Sequence, residues 1–329
     1  MSESDLAHRT REDVELWEAE HLAPAATRSV DSAGRARPEE PDRYRTVFER
    51  DRDRILHSKA FRRLKHKTQV FMNPDGDHFV TRLTHTLQVT QIGRALARYM
   101  GLNESLAEAI CLGHDVGHSP FGHTGEDALT PYVEGEWHHA AQSVRIFDVL
   151  EPLNLTWEVR DGIRAHSWRV KLPPATPEGY CCRFADRIAY LTHDVDDAVR
   201  AGVIKLDDLP AVAITCFGPA GPRWIESMIE AVVDESVDRG VVVMDPEALD
   251  AMNLLRDFMF DRVYLRPEAE DQRTRAIEII RDLVEHYIAH PEKVPPTYQH
   301  DDADGVTRAV DYVSGMTDRF AIREWEQLG

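Results

Sequence analysis

The sequence predicts an all-α fold, and three observations support this prediction. Inward-facing positions recur at spacings of three and four residues, the period of an amphipathic helix, as at His85, Val89, Ile92, Leu96 and Tyr99. Breaks rich in proline and glycine, such as KLPPATPEG and FGPAGP, separate the helical segments. No run of alternating β-branched residues is long enough to build a large sheet. We expect at most one small β-hairpin near residues 70–80, turning at NPDGD.

Composition excludes several classes of protein. The chain has 329 residues, of which 42% are hydrophobic and 29% charged, and no apolar run approaches the roughly 18 residues of a membrane helix. We therefore expect no membrane partner. The acidic start MSESDLAHRTRED lacks the apolar core of a signal peptide, which predicts a cytoplasmic protein. The four cysteines form no CxxC pair, so we expect neither a disulfide framework nor a thiolate zinc site.

Three regions are predicted along the chain. Residues 1–43 form an extended N-terminal arm, because its second half is rich in proline, serine, glycine and charge. Residues 44–210 form the main helical domain, which contains the histidine-rich motifs. Residues 211–329 form a helical C-terminal region that packs on this domain.

A basic segment stands out because the chain has a formal net charge of −19. Five cations fall within KAFRRLKHK and no acid lies among them; they are Lys59, Arg62, Arg63, Lys65 and Lys67. One interpretation is a solvated helical face, which most charge runs are. The other is a local binding site for an anion, which an acidic protein needs if it binds a phosphate compound.

Three helical segments carry histidines and carboxylates that can meet. His85 lies on the apolar face of its helix, and His114, followed by Asp115, lies on the apolar face of the next. A third helix, RFADRIAYLTHDVDDAVR, has a polar face that starts at Asp186. Taken singly, such residues can be a hydrogen-bonded core histidine or a solvated acidic face. Together, two histidines and two aspartates predict a divalent metal ion, namely Mn, Mg, Fe, Co, Ni or Zn, and hydrolase chemistry.

These residues match the H…HD…D pattern of the HD-domain metal-dependent phosphohydrolases, with His85, His114, Asp115 and Asp186 in the four positions. Four longer segments resemble the dGTP triphosphohydrolase family within that group; they are HSKAFRRLKHKTQVF, TRLTHTLQVTQIGRALAR, GHDVGHSPFGHTGE and RFADRIAYLTHDVDDAVRAG. The resemblance covers most of the chain. It implies an HD-domain helical fold for residues 44–210 and a metal ion held by the four matched residues.

The same resemblance implies a reaction and a set of site residues. A deoxynucleoside triphosphate, dGTP or several dNTPs, is cleaved to deoxynucleoside and tripolyphosphate. His123 supplies the proton for the leaving 5′-oxygen and Glu126 orients it; activation of the nucleophile is the alternative role for His123. The residues matched to phosphate contacts are Arg82, His118, His139 and Arg187, and each could instead be structural. Those matched to the deoxyribose are Gln69, Tyr190 and Asp194.

Further partners are implied less directly. Many members of the family need a nucleotide activator or assemble into rings, so we expect a homo-oligomer and leave the activator open. The alternative functions are an HD phosphohydrolase that acts on another nucleotide ester, and a nucleic-acid-binding or regulatory protein with a vestigial metal site. In the second case the basic segment would bind single-stranded nucleic acid weakly.

Overall fold

The computed structural model describes residues 8–69, 80–267, 270–301 and 303–328, and it confirms the all-α prediction. Within these residues the first nine α-helices are α1 Arg11–His21, α2 Val47–His57, α3 Lys59–Arg63, α4 Arg82–Tyr99, α5 Glu104–Gly113, α6 His123–Leu129, α7 His139–Arg145, α8 Trp157–Ala165 and α9 Pro177–Arg200. The remaining ones are α10 Ala211–Phe217, α11 Arg223–Arg239, α12 Pro246–Met259, α13 Glu270–Ala289, α14 Gly305–Ser314 and α15 Asp318–Glu326. The hairpin predicted near residues 70–80 lies outside the described residues except for Val80, and the flanking Thr68 and Thr81 form an antiparallel bridge.

We predicted an extended N-terminal arm. The arm is not extended throughout, because residues 11–21 form α1. Thr10 caps this helix by accepting a hydrogen bond from the Asp13 amide, and the Asp13 carboxylate accepts from the Thr10 amide in return. The buried carboxylate of Glu18 then accepts the amide and hydroxyl of Ser29 at 2.7 and 2.8 Å. A second buried carboxylate, Glu178 of α9, accepts the amide of Thr27 at 3.0 Å. Buried carboxylates thus hold the arm against the body of the protein.

Helices α4, α5 and α9 form the centre of the molecule and pack against one another. α5 is apolar on nearly every side and is buried from Leu106 to Gly113, apart from Glu108. α4 and α9 each place one stripe of buried apolar residues against it, including Val89, Ile92 and Leu96 of α4. The polar residues on the inner faces of these three helices therefore meet at one place, and they form the candidate site.

The apolar core falls into two clusters that do not follow the predicted boundary at residue 211. The first cluster joins α10, α11 and α12 to the central helices, with Trp224 and Met252 fully enclosed. The second consists of α13, α14 and α15 packed on α6. The division into regions 44–210 and 211–329 stays a prediction, since the chain after residue 211 contributes to both clusters. Among the described residues, no helix combines the length and apolarity needed to cross a membrane.

The basic segment is divided between solvent and protein. Three of its cations are exposed, namely Lys59, Arg62 and Lys65. Lys67 is buried instead, and its ammonium donates to the carbonyl oxygens of His118 and Ser314. Arg63 donates to the Gly315 carbonyl at 2.8 Å. Lys67 therefore joins the end of α14 to the histidine-rich loop, and Arg63 binds the turn that follows α14. The interpretation as one anion site does not describe these two cations.

Candidate active site

His85, His114 and Asp186 converge where α4, α5 and α9 meet. The Nε2 atom of His85 lies 3.1 Å from Oδ1 of Asp186, and Nε2 of His114 lies 3.8 Å from the same oxygen. Nδ1 of His114 faces the carbonyl of Cys111 at 2.6 Å, and since a carbonyl can only accept, Nδ1 carries the proton. Nε2 of His114 is fully buried and has no hydrogen-bond partner among the described residues.

Asp115 completes this group and is held from its other side by Arg82. Oδ1 of Asp115 lies 3.5 Å from Nε2 of His114, and Oδ2 accepts from the Arg82 guanidinium at 2.8 Å. Burial of the carboxyl opposes ionisation, but the neighbouring histidines and Arg82 outweigh it and hold the pKa of Asp115 well below its usual range. Arg82, which we matched to a phosphate contact, is itself buried and is committed to this carboxylate.

The four residues fit a divalent metal ion. Two imidazoles and two carboxylates form a nitrogen and oxygen donor set of the kind that Mn, Fe, Co, Ni and Zn accept. For Asp186, burial favours the neutral form, but the hydrogen bond from His85 and the other nearby histidines lower its pKa to about 2. Both carboxylates are therefore ionised near neutral pH. The partnerless Nε2 of His114 is the strongest sign of a missing ligand, because buried polar atoms are rarely left unpaired.

The histidine-rich loop runs from the end of α5 to the start of α6 and turns sharply. Phe121 and Gly122 both adopt positive φ angles, 61° and 59°, so the chain reverses just before His123. Gly117 lies so close to α7 that an added Cβ would come within 2.2 Å of the Ser143 amide nitrogen. The glycines thus allow the loop to pack on α7, which brings His139 beside the loop histidines.

Glu126 lies at the centre of these histidines. Its Oε1 accepts from Nδ1 of His139 at 2.5 Å and lies 3.4 Å from Nδ1 of His118. Its Oε2 lies 3.5 Å from Nδ1 of His123, the partner that we predicted. Burial of the Glu126 carboxyl opposes ionisation, but the surrounding imidazoles hold its pKa well below the usual value. Glu126 is therefore an anion in contact with several rings, with its shortest contact to His139.

The loop histidines differ in environment. The side chain of His123 is 65% exposed, whereas those of His118 and His139 are buried. Partial desolvation lowers the pKa of His123, but the Glu126 carboxylate more than offsets this and the net shift is upward. For His118, burial and the nearby Arg82 charge push the pKa well below the usual value. At neutral pH the exposed ring of His123 is therefore better suited to carry a proton than the buried ring of His118.

His166 also belongs to this group, and our sequence analysis missed it. It follows the last residue of α8, is buried, and its Nε2 lies 3.1 Å from Nε2 of His139. Its ring is also 5.0 Å from that of His114, measured between centroids. The signal in the sequence was weak: a single histidine one turn after the apolar Ile163 on an amphipathic helix.

Arg187, the other predicted phosphate contact, stacks on an aromatic ring. Its guanidinium carbon lies 4.1 Å from the ring centroid of Trp168, and its Nη1 donates to the amide oxygen of Asn253 at 2.9 Å. Its Nε has no hydrogen-bond partner among the described residues. Trp168 and Asn253 were not predicted, because they lie on separate elements and only the fold brings them to Arg187.

The residues matched to the sugar lie at the edge of the same site. Tyr190 and Asp194 follow Asp186 at successive turns of α9. Asp194 is buried and accepts from the Tyr264 hydroxyl at 2.7 Å; burial raises its pKa to about 7. Gln69 precedes α4, and its amide oxygen is buried without a hydrogen-bond partner among the described residues. Tyr264 is a further residue that sequence reasoning missed.

Comparison with known proteins gives the family. Residues 82–191 match the HD domain, and residues 242–327 match the phosphohydrolase-associated domain. A deoxyguanosinetriphosphate triphosphohydrolase-like protein of Caldanaerobacter subterraneus subsp. tengcongensis is 45% identical over 97% of this chain and 96% of its own. Proteins of the same description from Clostridium perfringens and Roseobacter denitrificans are 44% and 35% identical, over 97% and 93% of this chain and 97% of their own. The chain therefore belongs to the deoxyguanosinetriphosphate triphosphohydrolase-like family of HD-domain phosphohydrolases.

Proposed function

We propose that the chain hydrolyses a deoxynucleoside triphosphate, dGTP or several dNTPs, to deoxynucleoside and tripolyphosphate. The observation that carries the proposal is the convergence of His85, His114 and Asp186, with Asp115 next to His114 and the exposed His123 on the loop that follows. A divalent ion bound by that group supplies a Lewis acid for a phosphate oxygen and lowers the pKa of a water molecule. The names of the relatives indicate the substrate class.

His123 is the proton donor to the leaving 5′-oxygen in this proposal. Its ring reaches solvent, and the Glu126 carboxylate raises its pKa, so a protonated ring is available near neutral pH. The 5′-alkoxide is a poor leaving group unless it is protonated, which gives this proton its importance. Activation of the nucleophile by His123 is the alternative role. A pH profile of kcat separates the two roles, because a proton donor must be protonated at the start of the step, whereas an activator of the nucleophile must be neutral.

We assign phosphate binding to Arg187, His118 and His139. The guanidinium of Arg187 stacks on a ring and donates to Asn253, and its Nε has no partner among the described residues and is available to an anion. Arg82 supports the metal ligand Asp115, and any phosphate contact it makes is in addition to that ion pair.

Recognition of the sugar is assigned to Asp194, Tyr190 and Gln69. The raised pKa of Asp194, about 7, means that the carboxyl is partly protonated at neutral pH and can donate or accept a hydrogen bond with a 3′-hydroxyl. Tyr190 precedes it by one turn of α9, and we assign its ring to packing on the deoxyribose. The unpartnered amide oxygen of Gln69 is available to a hydroxyl donor.

Product analysis tests the proposal. Protein reconstituted with Mn²⁺, Co²⁺ or Mg²⁺ is incubated with each dNTP, alone and in pairs, and the phosphate products are separated by anion exchange. Tripolyphosphate and deoxynucleoside in equal amounts are the expected result. Orthophosphate or pyrophosphate as the first product would instead show that another phosphate bond of the dNTP is cleaved, and would contradict the proposed reaction. Stimulation of one dNTP by a second would identify a nucleotide activator.

A further inference from the structure

Arg183 is a buried cation that has no ion-pair partner among the described residues. Only 7% of its surface is exposed, and its guanidinium carbon lies 4.7 Å from the ring centroid of Trp168. Its Nη2 donates to the carbonyl of Ser167 in a long contact of 3.4 Å. Its Nε has no hydrogen-bond partner within the described part of the chain. Because a buried charge is unfavourable without a counter-ion, this environment suits an anion from outside the chain.

Arg187 lies one turn further along α9 and contacts the same indole. Its guanidinium carbon is 4.1 Å from the Trp168 centroid, and its Nε likewise lacks a partner among the described residues. Two guanidiniums of like charge therefore meet at one ring, and both residues are more than nine-tenths buried. Like charges repel more strongly where water is excluded, so an anion that contacts both arginines offsets this repulsion.

The two arginines extend a row of residues that we have assigned to the substrate. One face of α9 carries residues at spacings of four, three and four, namely Arg183, Arg187, Tyr190 and Asp194. Under the proposed function the last two meet the deoxyribose and Arg187 meets phosphate. Arg183 lies one turn beyond Arg187, about 6 Å further from the sugar end of the row. An extended nucleotide that follows this face directs the end of its phosphate chain towards Arg183.

We propose that Arg183 binds the terminal phosphate of the substrate and thereby selects triphosphates over shorter anions. The orientation of the nucleotide in this proposal rests on the proposed function. Arginine suits the role because its planar group presents several donors to phosphate oxygens in a fixed geometry. Trp168 supports both guanidiniums, and since an indole is not a conventional hydrogen-bond acceptor, it leaves their N–H groups available. A shorter phosphate chain at the same place reaches Arg187 but not Arg183.

Binding of inorganic phosphates tests the proposal without any turnover. Metal-free protein is titrated by isothermal calorimetry with tripolyphosphate and, separately, with pyrophosphate. We expect the parent protein to bind tripolyphosphate more tightly. Arg183→Met keeps a side chain that can pack on Trp168 but removes the charge. It should weaken tripolyphosphate binding roughly 10- to 100-fold, the range for a hydrogen bond to a charged group, and leave pyrophosphate binding largely unchanged.

Arg169→Met is the matched control. Arg169 follows Trp168 directly, and its replacement removes the same charge, but it is exposed and forms an ion pair with Glu136. This variant should bind both anions as the parent protein does. Circular dichroism checks that each variant folds. If Arg183→Met does not fold, Arg183→Gln replaces it and must show the same selective loss.

Three results overturn the proposal: a parent protein that does not prefer tripolyphosphate, an Arg183→Met variant that binds it as the parent does, and a loss of equal size for both anions. The proposed function fails separately. Hydrolysis of dNTPs without any selectivity that depends on Arg183 refutes the terminal-phosphate contact and keeps the activity. The selective loss in a protein that hydrolyses no dNTP refutes the activity and keeps an anion site of triphosphate length.

Discussion

Glu126 is closer to His139 than to His123, with contacts of 2.5 Å and 3.5 Å to the respective Nδ1 atoms. One buried carboxylate therefore serves two rings, one of which is enclosed and the other exposed. The link to His139 fixes a tautomer, whereas the link to His123 raises the pKa of an exposed imidazole. Removing the charge of Glu126 should affect both functions, and the two effects can be measured apart.

The first prediction concerns Glu126→Gln. The amide keeps an acceptor for His139 but removes the negative charge, so the pKa of His123 should fall. If protonated His123 is the acid, kcat declines as pH rises through that pKa, and the alkaline limb of the profile should move to lower pH in the variant. The measurement is kcat against pH for both proteins with saturating dNTP. An alkaline limb that stays in place would separate Glu126 from proton transfer.

The second prediction concerns His123→Ala. Loss of a general acid slows the chemical step by roughly 10²–10⁴-fold, while metal content and substrate binding should be retained because His123 is not one of the four predicted metal ligands. Turnover at saturating dNTP and equilibrium binding of dNTP are measured separately. A defect found wholly in KM would assign His123 to binding and make His118 or His139 the better candidate for the acid.

How far the sequence predicts this site depends on whether a contact is local. His85 and His114 could be identified because the helical period puts them on inward faces, and Asp115 and Asp186 because they match the H…HD…D pattern. The contact between Glu126 and His139 could not, because it depends on how the loop packs on α7. The hydrogen bond from Arg82 to Asp115 was not predicted for the same reason, and the match of Arg82 to a phosphate contact stays a prediction.

Two features of the fold show the same limit. The α1 helix has a local signal, since Thr10 and Asp13 form its capping box, but the proline- and glycine-rich stretch after it led us to predict an extended arm. Lys67 was grouped with four other cations on charge alone. Its burial against Ser314 joins residues separated by most of the chain, and no local pattern encodes such a contact.

The third prediction concerns Asp186→Ala. This change removes a charged ligand that lies 3.1 Å from His85 and leaves that nitrogen without its carboxylate. We expect the metal ion to be lost together with activity, while the helical fold survives. Elemental analysis and circular dichroism are the two measurements. Full metal content in the variant would refute the assignment of Asp186 as a ligand.

The fourth prediction concerns Trp168, whose ring supports the guanidinium of Arg187 at 4.1 Å. A cation–π contact contributes about 0.5–2 kcal/mol, so Trp168→Ala should weaken phosphate binding about 2- to 30-fold if Arg187 is a phosphate contact. The change should appear in KM and in inhibition by tripolyphosphate more than in kcat. Trp168→Phe keeps an aromatic face and is the control. Unchanged inhibition in the alanine variant would remove Arg187 from the phosphate site.

The last prediction concerns the buried ammonium of Lys67. Burial, reinforced by the nearby positive charge of Arg63, lowers its pKa to about 7 from the usual value of 10.5. Between these two values the unfolded chain binds a proton that the folded protein does not, so this lysine makes the free energy of unfolding increase as pH rises from about 7 to 10.5. Below pH 7 both states are protonated and the contribution no longer changes.

Lys67→Met should remove that dependence while leaving the carbonyls of His118 and Ser314 without their donor. Urea unfolding is measured between pH 6 and 10 for the parent, the variant and Lys65→Met, an exposed neighbour that serves as the control. Other groups that titrate in this range are common to all three proteins and cancel in the difference. The parent should gain stability relative to Lys67→Met as pH rises, and the difference between the parent and Lys65→Met should stay flat. A difference between parent and Lys67→Met that is equal at every pH would mean that the ammonium keeps its proton when the protein folds.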